Sequence, residues 1–427
     1  MYLVAIHVPV YVDAGCCYFE TDWIRSLRLL RDSLQGRYGV LRVVAPSVDL
    51  AGGFPAQNLE AAPGADEGFE VVPSAPLHGR ARSYWLSRRK WWLRDVSKHC
   101  RHADVVHTGL GDLYQPFNSD AHRCAWHAGK PIIFARDTDT VLQIESQITG
   151  QSPITAARWR VYCWLYDRCM KKMVLQAALA LLKGRTLFEK YAPFAQNAKL
   201  VQDTSHLSSE VLPRHELEMR LARQQRDRGL HLVYVGRLVD RKGVHRSVNI
   251  VGRAVHRGAN VRLTILGRGP EEASIARHVN EGGLRDRVRL LGPRMYGPDL
   301  LRELGQYDGL LFTPLYEDTP RMIFDGYAAG LPLIGAEIPY VRERIHEEKS
   351  GILLPMDDDE RAAQLLTNLA SDHQQLRELT WNAWEAGMFH AADIWYKRRA
   401  EWTFEAVERA RHKARQARVS SCSCDSI

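Results

Sequence analysis

Glu317 and Asp325 bracket a helix start in the run Y-E-D-T-P-R-M-I-F-D-G-Y-A-A-G-L-P-L-I-G from Tyr316 to Gly335. Thr319 reads as the N-cap and Pro320 as the first helical residue, so the backbone amides around Arg321 and Met322 point out of the helix toward any anion. Carboxylates accept hydrogen bonds from hydroxyls, and a nucleotide sugar offers hydroxyls at both ends of its diphosphate. The segment therefore reads as a diphosphate seat flanked by two acids. A capped surface helix whose acids merely complement its dipole would carry the same pattern.

Upstream, H-L-V-Y-V-G-R-L-V-D-R-K-G from His231 to Gly243 predicts a buried strand ended by Gly236. Arg237 and Lys242 then project from a loop at the strand's carboxyl end, where open α/β sheets bind ligands. Arg as a forked donor and Lys as a point charge suit a leaving diphosphate. A second strand, V-R-L-T-I-L from Val261 to Leu266, runs into Gly267-Arg268-Gly269-Pro270. These glycines are expected to let backbone approach the ligand closely.

In this order the motifs resemble the nucleotide-binding domain of family 4 retaining glycosyltransferases (glycosyl transferases group 1), over about Leu230 to Ala370. The matching residues are Gly236-Arg237, Lys242-Gly243, the turn at 266 to 270, Phe312-Thr313-Pro314, Ala329-Gly330-Leu331-Pro332 and Gly351-Ile352-Leu353-Leu354. The acid pair matches as well, with Asp325 in place of the family's second Glu. The resemblance implies a GT-B fold: two doubly wound Rossmann-like domains facing a cleft, with a C-terminal helix crossing back to the first. It further implies that Arg237 and Lys242 bind the donor diphosphate, that Glu317 contacts the donor sugar, and that Asp325 holds the ribose hydroxyls. Glu343, in a loop after Ile338-Pro339, lies near where the family often carries another Glu.

The first half would hold the acceptor. The family's Gly pair after the first strand has only Gly15 as a counterpart here, and Asp137, in K-P-I-I-F-A-R-D-T-D-T from Lys130 to Thr140, aligns with a strand end near the reacting centre. His107, following a strand at Ala103 to Val106, is an acceptor-side candidate; a lone His at a strand end is more often structural. Asp137-Thr138-Asp139 also matches the Asp-x-Asp string by which GT-A enzymes hold a divalent metal, but that fold does not carry the Arg-Lys and acid-pair set. No metal or cofactor is expected beyond a UDP- or GDP-linked sugar as donor substrate.

The chain has 427 residues, 45% of them hydrophobic, which suffices for two α/β cores. Domains are expected at 1–205 and 206–390, joined by a polar connector near 215–229, with a crossover helix at 391–415 and a disordered tail at 416–427. The eight cysteines form no paired zinc spacing and read as thiols of a cytoplasmic protein.

With 58 Lys and Arg against 50 Asp and Glu the net charge is a mild +8. Two aromatic-basic clusters, 80–101 and 157–172, suit an anionic membrane surface, as in a protein peripheral on the inner face of the plasma membrane. Helical spacing in the first gathers Trp85, Leu86, Trp92, Leu93 and Val96 on a core face and leaves Tyr84 and Trp91 on the basic side. No nucleic-acid reader motif is present.

The resulting expectation is a retaining, metal-independent hexosyltransferase. It would act on a glycan or lipid-linked acceptor in bacterial surface polysaccharide or exopolysaccharide biosynthesis. A sugar-nucleotide epimerase of the same fold and a noncatalytic membrane-associated assembly subunit are the alternatives.

Overall fold

The computed structural model describes the chain apart from positions 35, 51–57, 78–80, 149–150, 203, 227–228, 316–319 and 423–427, together with the side chains of 146–147, 225–226 and 417–422. It divides into two compact units, Met1–Val201 with Tyr396–Ile427, and Gln202–Trp395.

The strands of the first unit are β1 (Tyr2–Ala5), β2 (Val10–Asp13), β3 (Cys16–Glu20), β4 (Leu41–Asp49), β5 (Leu59–Ala61), β6 (Phe69–Pro76), β7 (Val105–Thr108), β8 (Ile132–Arg136), β9 (Leu179–Lys183) and β10 (Ala198–Val201). They form one sheet in the order β10-β9-β8-β7-β1-β4-β2-β3-β5, with β6 also paired to β4. All pairings are parallel except β2 with β3 and β3 with β5. The fully buried β1, Y-L-V-A, reflects a parallel sheet covered on both faces. The chain leaves β1 toward β4 and later returns to β7 on its other side, so the carboxyl ends of β1 and β7 form a switch point.

The second unit contains β11 (Leu230–Val235), β12 (Val261–Leu266), β13 (Val288–Leu290), β14 (Gly309–Phe312), β15 (Leu333–Ala336) and β16 (Gly351–Leu354). Their order is β13-β12-β11-β14-β15-β16, parallel throughout. This is the doubly wound order, with its switch point between β11 and β14. Leu232 and Tyr234 pack with Val248, Val251 and Ile265 on one face, and Val233 and Phe312 pack with Ile323 and Tyr327 on the other. The alternation along β11 thus feeds two helical layers.

Three local features depart from the sequence expectation. The segment Tyr84–Arg88 is a π-helical turn in which the Arg89 amide donates to the Tyr84 carbonyl. This wide turn inserts about one residue into the helical phase, so Tyr84 is buried while Trp85 and Leu86 are 51% and 70% exposed. Tyr84 donates to the Asp120 carboxylate at 2.9 Å and meets Phe117 edge-on at 4.6 Å.

The expected polar connector is a helix, Arg214–Arg226, whose Leu217 and Leu221 pack with Leu212 against Trp381 and Trp384. The C-terminal helix runs Ala392–Cys422, past its expected end at 415 and through the first part of the expected tail. Cys424 and the rest of the tail lie outside the described residues.

Candidate functional site

After β11 the backbone turns at Gly236, passes the exposed Arg237, forms a short 3-10 turn at Asp240–Lys242 and enters the helix Val244–His256 through Gly243. The Lys242 ammonium lies 5.9 Å from the centroid of Phe312, the last residue of β14. A partly buried cation is thereby held beside the switch point. Gly243 has φ +62°, and a Cβ there would stand 1.9 Å from the Thr313 carbonyl oxygen. Thr313, fully buried, donates to the Gly243 carbonyl at 2.9 Å and pairs with the Ser247 hydroxyl at 2.7 Å. The Leu315 amide donates to the Arg241 carbonyl at 2.9 Å. These bonds join the loops after β11 and β14 into one rim.

Gly267 and Gly269 belong to the same rim, in a role the sequence did not suggest. A Cβ on Gly267 would lie 2.0 Å from the Gly236 carbonyl oxygen, and one on Gly269 would lie 2.1 Å from that of Leu238. Their smallness lets the loop after β12 lie directly against the loop that carries Arg237. The Leu238 amide donates to the Arg268 carbonyl at 3.0 Å, and the Glu271 amide donates to the Leu238 carbonyl at 3.1 Å. The close approach is backbone to backbone.

Glu317 and Thr319 lie outside the described residues. Beyond them the regular helix is Met322–Ala328, with Arg321 at its N-cap and a tighter opening turn in which the Ile323 amide donates to the Pro320 carbonyl. The helix begins two residues later than a Thr319 cap implied, a shift within the usual fraying of a helix end. Met322 is its first residue, and Asp325 sits in its first turn, 9% exposed.

The far end closes with Gly330 at φ +65°: the amides of Gly330 and Leu331 donate to the carbonyls of Tyr327 and Gly326, both at 2.8 Å. Arg220, buried in the expected connector, adds bonds to the carbonyls of Ala329 at 2.8 Å and Gly330 at 2.6 Å. A cation is favourable at a helix C-terminus, and here it fixes the helix that bears Asp325. Lone arginines in polar runs give no sequence signal for such a role. Glu343 is helical, within Pro339–Glu348, and its carboxylate receives Arg344 at 2.6 Å.

In the first unit Asp137 follows β8 and is exposed at the carboxyl edge of the sheet. Asp139, in contrast, is buried: it accepts the amides of Val141 and Leu142, both at 3.1 Å, and the Lys190 ammonium at 3.0 Å. Among the described residues no group of three or more His, Cys, Asp or Glu is arranged to hold a metal ion.

Two expectations are corrected. His107 lies within β7, not after it, and its Nδ1 meets the Tyr2 hydroxyl at 3.0 Å on a sheet face. Burial lowers its pKa to about 4, which makes it a neutral packing residue. Gly15 is the tip of the β2–β3 hairpin, beside Ala14 with φ +47° and in open space, and does not belong to the loop after β1.

That first loop instead carries His7, which sequence reasoning passed over because an isolated His in a loop has no spacing to mark it. Its Nδ1 meets the Asn118 amide nitrogen at 2.9 Å, and burial followed by the Arg136 guanidinium holds its pKa below the usual histidine range.

Residues 229–372 match the family model for glycosyl transferases group 1. The chain is 29% identical over 195 residues to an exopolysaccharide phosphotransferase of Streptomyces coelicolor, covering 44% of this chain and 20% of that protein. It is 24% identical over 213 residues to the alpha-D-kanosaminyltransferase of Streptomyces kanamyceticus, covering 48% and 54%. The matched region thus spans about half or less of these relatives' own lengths. Among solved structures it superposes on Anabaena HepE in complex with UDP with a TM-score of 0.62 at 13% identity, covering 95% of this chain and 99% of that one. This likeness shows a shared GT-B fold.

Proposed function

We propose that this chain, whose residues 229–372 match the family model for glycosyl transferases group 1, moves a sugar from a nucleoside diphosphate to an acceptor hydroxyl with retention of anomeric configuration. The observation that carries this reading is the placement of Lys242, beside Phe312 at the β11/β14 switch point, on the same loop as Arg237. Two fixed cations there stabilise the negative charge that grows on the diphosphate as the anomeric C–O bond breaks. The acceptor oxygen bonds to the anomeric carbon on the same face, and its proton passes to the departing diphosphate oxygen. Catalysis is then positional and electrostatic, with no protein nucleophile.

Asp325 takes the ribose hydroxyls, Glu317 the sugar, and the amides near Thr319, Arg321 and Met322 the phosphate. The glycine-packed rim of Gly236, Gly267 and Gly269 keeps Arg237 in register. UDP in the HepE structure favours a uridine donor, and the exopolysaccharide relative favours a glycan acceptor. Incubated with a panel of UDP- and GDP-linked sugars and a panel of glycoside acceptors, the protein is expected to release one nucleotide and form a glycosidic bond of the donor's anomeric configuration. An inverted product in the proton NMR spectrum would contradict the mechanism.

A membrane-surface reading rests on the outer face of the helix Pro153–Gln176. There Ile154, Val161, Trp164, Leu165 and Leu175 are exposed at helical spacing, with Arg158, Arg168 and Lys172 interleaved. Leu86 and Trp91 are also exposed near the basic residues of the first cluster. Among the described residues no helix is long and apolar enough to cross a membrane. The protein is expected to sediment with phosphatidylglycerol vesicles at low salt, and the doubly substituted Trp164→Ser, Leu165→Ser protein to bind about tenfold more weakly, by loss of buried apolar area. Equal recovery in the supernatant with and without vesicles would remove this reading.

A further inference from the structure

The helices that follow β11 and β12 meet through a chain of polar side chains that none of the roles above uses. His245, in the first turn of the helix Val244–His256, presents its Nδ1 to the Nδ1 of His278 at 3.2 Å. Its Nε2 lies 3.0 Å from the Ser274 hydroxyl and 3.3 Å from the Glu271 carboxylate. The Ser274 hydroxyl in turn lies 2.8 Å from both the backbone and the carboxylate oxygen of Glu271. Ser274 and His278 belong to the helix Glu272–Glu281, and Glu271 is its N-cap.

The two rings meet nitrogen to nitrogen. Their centroids are 5.5 Å apart with planes 17° from parallel, and that separation is the Nδ1 gap plus the two ring radii, so the imidazoles share nearly one plane. A metal ion on this line would need the nitrogens about 4 Å apart, twice a Zn–N bond. An N–H···N hydrogen bond fits the gap as it stands.

The partners fix the protons. Facing a carboxylate, His245 Nε2 carries one, which leaves Nδ1 of the neutral ring as acceptor for the His278 Nδ1–H. A first added proton enters at His278 Nε2 and leaves this bond intact. A second must enter at His245 Nδ1, where two N–H groups and two positive charges would then oppose each other.

We propose that His245 is a positioning residue for the donor loop: while the two imidazoles share one proton between their Nδ1 atoms, it locks the far end of the loop of Arg237 and Lys242 to the loop after β12, and the second added proton releases it. This rests on the donor reading of the previous subsection and adds to it a dependence of nucleotide affinity on pH.

The lock stands where it bears on Lys242. The near end of the donor loop is tied to the same neighbour by backbone, through the bonds of Leu238 with Arg268 and Glu271. His245 repeats that tie just beyond Lys242, across Gly243, whose left-handed backbone and bond from Thr313 make a stiff joint. Glu271 serves both ends, its amide bonded to the Leu238 carbonyl and its carboxylate facing His245.

Burial, and then His245 itself, hold the His278 pKa below the usual histidine range, with Glu281 acting in the opposite direction. Arg246 and Arg253, on the helix of His245, are turned to Asp359 at 2.8 Å and Glu360 at 2.6 Å on the helix Asp359–Ser371. The locked pair holds fewer protons than the released one, so acid favours release.

The test is calorimetric titration of the full chain with UDP in steps from about pH 7.5 to about pH 5, on the wild-type protein, His278→Asn and His278→Ala, with a melting curve at each pH. An Asn amide offers either N–H or C=O to His245 Nδ1, so His278→Asn keeps the lock in both protonation states. UDP itself gains a proton in this range, and the ratio of variant to wild-type affinity cancels that contribution. The expected result is wild-type affinity equal to that of His278→Asn near neutrality and about tenfold weaker at the acid end, the factor carried by one pKa unit of coupling. His278→Ala should be about tenfold weaker than His278→Asn throughout, as for loss of a hydrogen bond. In proton NMR the ring signals of His245 and His278 should titrate in two separated steps in the wild type, and His245 in a single step in His278→Asn.

A ratio of His278→Asn to wild-type affinity that stays constant with pH overturns the proposal, as do two histidines that titrate independently. If His278→Ala melts below the assay temperature, the His278→Asn ratio decides alone. Absence of UDP binding by the wild-type protein at every pH would remove the donor reading and the proposal with it, whereas a constant ratio leaves the donor reading standing, so the two failures are separable.

Discussion

Lys242→Ala is expected to lower turnover by about 10² or more, and Arg237→Ala by a similar factor, as when a preorganised donor is removed from developing charge elsewhere. A factor of 10² corresponds to about 2.7 kcal/mol of transition-state stabilisation. Lys242 has the geometry for it: partly buried, at the end of a 3-10 turn, with its ammonium over the Phe312 ring. On the proposed reading, a cation held there requires little reorganisation as a diphosphate departs. Arg237 is more exposed, but its loop is held by the Tyr234 hydroxyl, which donates to the Arg237 carbonyl at 3.1 Å. On the proposed reading the loss appears in kcat, because charge grows in the transition state, and in nucleotide affinity as well, because the same cations would meet the ground-state diphosphate. Steady-state kinetics with the active donor checks this, and near-wild-type kcat in both would remove the phosphate assignment.

Gly269→Ala is expected to destabilise the second unit by about 3–5 kcal/mol, the sum of overpacking and two strained backbone hydrogen bonds. The added methyl would meet the Leu238 carbonyl oxygen at 2.1 Å, its carbon at 2.6 Å and its nitrogen at 2.8 Å. All three atoms are backbone, so no side chain can swing aside. Leu238 must move, taking Arg237 with it and loosening its bonds to Arg268 and Glu271. Nucleotide affinity should therefore fall along with the melting temperature. Gly15→Asn is the control, because that hairpin position is in open space and Asn tolerates its left-handed backbone. Calorimetric melting and nucleotide titration of both variants check the prediction, and wild-type behaviour of Gly269→Ala would contradict the packed-rim account.

Much of the second unit was legible because its strands are short apolar runs, each ended by a residue with a job. Gly236 after V-Y-V, Gly267 after T-I-L and Thr313 after L-L-F all fall where the chain turns at the sheet's carboxyl edge. What the glycines approach was not legible, since a missing Cβ accommodates a ligand and a neighbouring carbonyl equally well.

In the first unit, helical periodicity put Trp85 and Leu86 inside, and one π-turn exchanged them for Tyr84. A phase shift of one residue leaves no mark in composition. The β2–β3 hairpin places Gly15 at a remote tip and not in the loop after β1, and the buried Leu217, Arg220 and Leu221 of the connector are hidden among its charges. His7 acquires meaning only from Asn118 and Gly111, more than a hundred positions away.

The most direct test of the donor site is calorimetric titration of the purified chain with UDP, GDP and ADP without added metal, beside Lys242→Ala. The account predicts that one nucleotide, UDP first, binds to the wild-type protein and that the variant loses this binding. Absence of binding by all three nucleotides, or binding that Lys242→Ala leaves unchanged, would contradict it.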